Sequence, residues 1–122
     1  MTPADVHQKL TQIFPEFAVY WSAPDNYARE DDGSFTFWGI FGEFSGFFCE
    51  GFKSFSEAGL TALGQFIEEW MVELRCGIES DIDNAVATCF LENVASHESA
   101  DTLLPFLGRK GRRFLSQYGY PA

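Results

Sequence analysis

The chain is short of the features that most often announce a function. Its first ten residues, MTPADVHQKL, carry neither a basic start nor an apolar run, so no secretory signal is expected there. No uninterrupted apolar stretch reaches the roughly 20 residues that a membrane-spanning helix needs. Cysteine is limited to Cys49, Cys76 and Cys89, an odd number with no C-x-x-C pair. That excludes a complete set of internal disulfides and the usual zinc spacing. The three read as reduced, mostly buried thiols, and the chain is expected to be cytoplasmic. There is no P-loop, no G-x-G-x-x-G between a strand and a helix, and no H-E-x-x-H, so no cofactor is expected.

Basic residues are also scarce, eight lysines and arginines against 18 acids, for a net charge of −10. Such a surface repels nucleic acid and anionic membranes, and neither is expected as a partner. It favours a basic partner, whose approach it would steer. Half of the basic residues lie in Arg109, Lys110, Arg112 and Arg113, leaving four bases against 18 acids in residues 1–108. Docking of that tail on the protein's own acidic face, or on an acidic partner, accounts for it more economically than nucleic acid.

What is abundant is aromatic. Fourteen phenylalanines contribute to an aromatic content of 17% within 46% hydrophobic residues, ample for a folded core in one domain spanning residues 1–122. The stretch SFTFWGIFGEFSGFFCEGF, residues 34–52, holds seven of them with four glycines. Placed on a helix, Phe37, Phe41, Phe44, Phe48, Phe52 and Phe55 form one stripe, with Ile40 and Phe47 at its edge and Glu43, Glu50 and Lys53 outside it. Gly39, Gly42 and Gly46 fall opposite and would admit a close neighbour. A Phe-rich hairpin is the alternative to that helix.

Helix signals recur along the rest of the chain. Thr2, Pro3 and Asp5 make a capping box before Val6, Leu10, Ile13 and Phe14. A short helical turn is expected over residues 16–21, then a polar loop through Asp25, Asp31, Asp32 and Gly33. Ser54 with Glu57, or Ser56 directly, opens a helix carrying Leu60, Leu63, Phe66, Ile67, Trp70, Met71 and Leu74 on one face, closed by Gly77. Ser80 and Asp83 start another, with Ile82, Val86, Phe90 and Val94. A final helical region from Ser99 or Asp101 is divided near residues 105–108 and stopped by Gly119 and Pro121. The fold class is therefore all-α, a compact bundle of about five to six helices, with HEAT-like stacked hairpins as one arrangement.

Candidate chemistry is sparse. Residues 81–92 match an EF-hand at the first, third and twelfth positions, but Ala85 stands at the fifth and the glycine is missing, so no metal is expected. Asp81 and Asp83 are explained instead as first-turn acids complementing a helix dipole. His7, His97 and the cysteines supply nucleophile and base types without local signals that join them. No catalytic residue is assigned and the protein is not expected to be an enzyme. The acids Glu68, Glu69, Glu73, Glu79, Asp81 and Asp83 make a dense acidic segment. They form the candidate partner-binding surface, with Trp70 or Trp38 as an aromatic anchor.

At LGQFIEEWM, DIDNAVATCFLENVAS and LLPFLGRKGRRFL, within residues 60–116, the chain resembles the small acidic immunity proteins encoded beside bacterial polymorphic toxins. That resemblance implies a non-catalytic cytoplasmic inhibitor that binds one cognate toxin domain and blocks its active site. The acidic charge fits a basic, nuclease-type toxin. A helical adaptor or a small-ligand protein using a Phe-rich groove is the alternative, with a cavity beside Phe41, Phe44 and Phe48 as its expected sign.

Overall fold

The computed structural model describes residues 1–71 and 80–122. Expectations for Glu73, Leu74, Cys76, Gly77 and Glu79 lie outside that set. Among the described residues every regular element is helical. Helix α1 spans Pro3–Ile13, and its capping box forms as its sequence dictates, with Thr2 and Asp5 each accepting the other's backbone N–H. Helix α2, Glu16–Trp21, follows Pro15 directly. The polar loop after it is held by Asn26, whose side chain donates to the Trp21 carbonyl at 2.7 Å and accepts from the Ala28 N–H at 2.9 Å.

The aromatic stretch is a helix. Helix α3, Phe37–Gly51, starts at Thr36, whose hydroxyl accepts the Gly39 N–H at 3.0 Å. It buries Ile40, Phe41, Phe44, Phe47 and Phe48, so the apolar side is wider than the narrow stripe the spacing predicts. Phe44 is the hub, with ring centroids 5.2 Å from both Phe17 and Phe90. Each such phenylalanine contributes roughly 1.5–3 kcal/mol by leaving water.

Helix α4, Glu57–Trp70, is capped by the Ser56 hydroxyl on the Gly59 N–H, which decides between the two expected starts. A run of α5 (Asp81–Ala85), a π turn (Val86–Leu91) and α6 (Glu92–Ala95) then packs against α3. Residues 81–92 are thus helical rather than a cation-binding loop. Helix α7, Ser99–Leu103, and α8, Arg109–Leu115, flank the expected break, with a 3-10 turn Leu104–Phe106 between them. The turn packs on α4 at Gly64, where a Cβ would collide with the Phe106 carbonyl. Helix α3 touches α1, α2, α5, the π turn and α6. This arrangement is a bundle gathered around one helix.

Candidate functional site

The described members of the acidic segment expected to bind a partner differ in their surroundings. Trp70 is 5% exposed, stacked on Phe66 and edge-on to Phe41 at 5.4 Å. It cannot serve as a surface anchor in this packing. Asp83 is 0% exposed, so it is a buried group rather than a rim carboxylate. Glu68 is half-buried and engaged within the molecule, accepting the Lys110 backbone N–H at 3.1 Å. Glu69 and Asp81 are exposed, and Glu73 and Glu79 lie outside the described residues. The other proposed anchor, Trp38, keeps 38% of its surface and donates its indole N–H to Asn84 Oδ1 at 2.9 Å.

Carboxylates converge elsewhere, on the face where α2 meets α3. Glu43 and Glu50 are seven residues apart, two turns of α3, and therefore share a side of the helix. Asp25 reaches the same place from the loop after α2. With Tyr20 and Ala23 these three line a notch of about 360 Å³. Beside it runs a trough of about 470 Å³, lined by Glu16, Val19, Tyr20, Phe47, Glu50 and Gly51. The notch and trough share Tyr20 and Glu50. Val19, at 78% exposure, is a large apolar side chain left in water on the trough's edge.

Small residues make the depression possible. The Tyr20 ring lies edge-on to Phe47 at 5.6 Å, and a Cβ on Gly46 would come within 2.7 Å of the Tyr20 hydroxyl. One turn back, a Cβ on Gly42 would meet nothing within 4 Å. The glycine side of α3 thus receives Ala28 at Gly39 and Tyr20 at Gly46, as its phase suggests, and stays open between them.

The electrostatics of this face are unfavourable as it stands. Burial, then the charge of Asp25, push the Glu43 carboxyl above its ordinary range, against an opposing pull from Arg29 that outweighs the weaker push of Glu50. Burial also raises the Tyr20 phenol, and Glu50, Glu43 and Asp25 add to the rise. A cation entering the notch would attract each carboxylate and so offset these repulsions.

A second polar cluster joins residues that the sequence leaves apart. The Ser99 hydroxyl stands 3.6 Å from Cys49 Sγ and 3.0 Å from His97 Nδ1, while the Ser99 N–H donates to the same nitrogen. This satisfies the fully buried Ser99 and ties α7 to α3. Phe41, Phe44 and Phe48 are 0–1% exposed, their rings used by the core. Among the described residues no group of three or more His, Cys, Asp or Glu is placed to hold a metal. Nor is any described helix long and apolar enough to cross a membrane.

A family model described as "Domain of unknown function (DUF7674)" matches residues 7–119. The chain belongs to that family. Neither the curated proteins nor the solved structures contain a match. The DUF7674 match takes in the α2–α3 face together with the contact between α4 and α8, so both are built within the family's domain.

Proposed function

We propose that this DUF7674 protein is a non-catalytic immunity protein, which binds a cognate toxin domain of basic surface in the cytoplasm and blocks it. One observation carries the reading. Asp25, Glu43 and Glu50 wall one notch, where burial and the neighbouring carboxylates outweigh the pull of Arg29 on Glu43, an arrangement that a cation from a partner would favour. The overall charge of −10 would speed the encounter, and the apolar trough supplies area that can be desolvated on contact. A ligand seat on the Phe stripe has less support, because Phe41, Phe44 and Phe48 are already packed against other rings.

The test is genetic and biochemical. Co-expression with the product of a neighbouring toxin gene should restore growth, and the two chains should co-purify with an affinity that falls as salt rises. Cells that die at the same rate with and without this protein would overturn the immunity reading.

A further inference from the structure

Resting on that reading, we propose that the α2–α3 face recognises one segment of the partner that presents a lysine or arginine beside an apolar side chain. The notch and the trough are different in chemistry and contiguous in space. The notch, about 360 Å³, is walled by Asp25, Glu43 and Glu50 and is roomy enough for an ammonium or guanidinium group. The trough offers Val19, Phe47 and the Tyr20 ring to an apolar side chain. Because Tyr20 and Glu50 belong to both, a ligand that fills one is in reach of the other.

Charge complementarity sets the choice of occupant. An acidic or neutral segment would add nothing to the partial offset that Arg29 gives Glu43 among the three carboxylates. A purely apolar one would dehydrate Glu43 further, in a place where burial already penalises its charge. A basic side chain gains from all three carboxylates, and its aliphatic stem packs on the Tyr20 ring. An amphipathic helix laid between α2 and α3 presents the two side chains one turn apart.

The probe is a short amphipathic helical peptide of leucine and lysine, with a leucine–glutamate peptide of the same pattern as control. Amide shifts of the ¹⁵N-labelled protein are followed during titration. The lysine peptide should move Tyr20, Glu43, Gly46, Phe47 and Gly51, with an affinity that weakens as salt rises, and the glutamate peptide should not. E43Q/E50Q should weaken binding by about tenfold, and V19S by about threefold. Val19 and Glu50 are exposed, Glu43 is partly buried and E43Q relieves a repulsion, so weaker binding would not reflect unfolding. Shifts centred on Glu69 and Asp81, or equal binding by E43Q/E50Q, would overturn the proposal. The toxin experiment is independent. A wild-type protein that binds the peptide here but fails to neutralise the toxin removes the immunity function and keeps the site. Neutralisation untouched by E43Q/E50Q/V19S does the reverse.

Discussion

Glu68 and Lys110 close two helix ends against each other. The Glu68 carboxylate accepts the Lys110 N–H in the first turn of α8, at 3.1 and 3.3 Å to its two oxygens. In return the Lys110 ammonium donates to the carbonyls of Glu68 and Met71, at 3.1 and 3.0 Å, at the end of α4. An anion sits at a helix start and a cation at a helix end, the favourable sense of both dipoles, and three terminal backbone groups are satisfied. Gly108 admits this approach, since a Cβ there would come within 2.5 Å of a Glu68 oxygen. The basic tail therefore uses part of its charge within the molecule.

The first prediction follows from that clasp. E68Q and K110M should each lower stability by about 1–2 kcal/mol, the range for charge-assisted hydrogen bonds. The double variant should cost less than the sum, because both sets of bonds hold the same two helix ends together and losing one loosens the other. Urea denaturation of the four proteins measures the coupling. Strict additivity would mean that the two ends are held independently.

Much of this architecture is legible in the chain because it is local. Thr2 with Asp5, Ser56, and Ser80 with Asp83 act within one helical turn, so their spacing suffices to place helix starts. The phase of α4 likewise puts Trp70 on the side of Leu60, Leu63 and Ile67, and that phase is a better guide than the neighbouring glutamates that suggest an exposed anchor. What the spacing does not carry is tertiary. Lys110 meets Glu68 across 42 residues. Asp25 meets Glu43 only because Asn26 folds its loop back onto Trp21. Glu43 and Glu50 do carry a signal in their two-turn separation, but a solvated face shows the same spacing. The π turn leaves no mark, since Val86, Phe90 and Val94 suit an unbroken α-helix equally well.

The second prediction separates two glycines of similar appearance. Gly64 lies under the Phe106 carbonyl, so G64A forces α4 and the 3-10 turn apart and should cost about 2–4 kcal/mol. Gly42 has open space where a Cβ would project. G42A should therefore stabilise the protein by up to about 1 kcal/mol, through better helix propensity alone. Thermal unfolding decides it. Equal effects of the two substitutions would contradict the packing at Gly64.

The third prediction concerns acid. His7 lies among the rings of Phe17, Trp21 and Phe35, and its Nε2 is buried with no hydrogen-bond partner among the described residues. Burial lowers its pKa from 6.5. The unfolded chain then binds more protons than the fold between the two values, so stability falls as pH drops below about 6.5. The loss stops growing once the folded-state pKa is passed. H7L should flatten this part of the curve of melting temperature against pH. An unchanged slope would place the acid sensitivity in another group.

The fourth prediction turns the strain at the candidate site into a measurement. Glu43 has its pKa raised above the ordinary 4.5, chiefly by burial and then by Asp25. Its protonated form is favoured by the fold, so the stability it contributes is present below about 4.5 and is lost as pH rises through the folded-state value. E43Q should accordingly raise the melting temperature by about 1–3 °C at neutral pH and by nothing near pH 4. The same substitution should weaken binding of the lysine peptide. Opposite signs for stability and binding are what a carboxylate kept for a partner produces, whereas a structural carboxylate would lower both. If E43Q melts lower at neutral pH, Glu43 supports the fold, and the case for the notch as a cation seat fails with it.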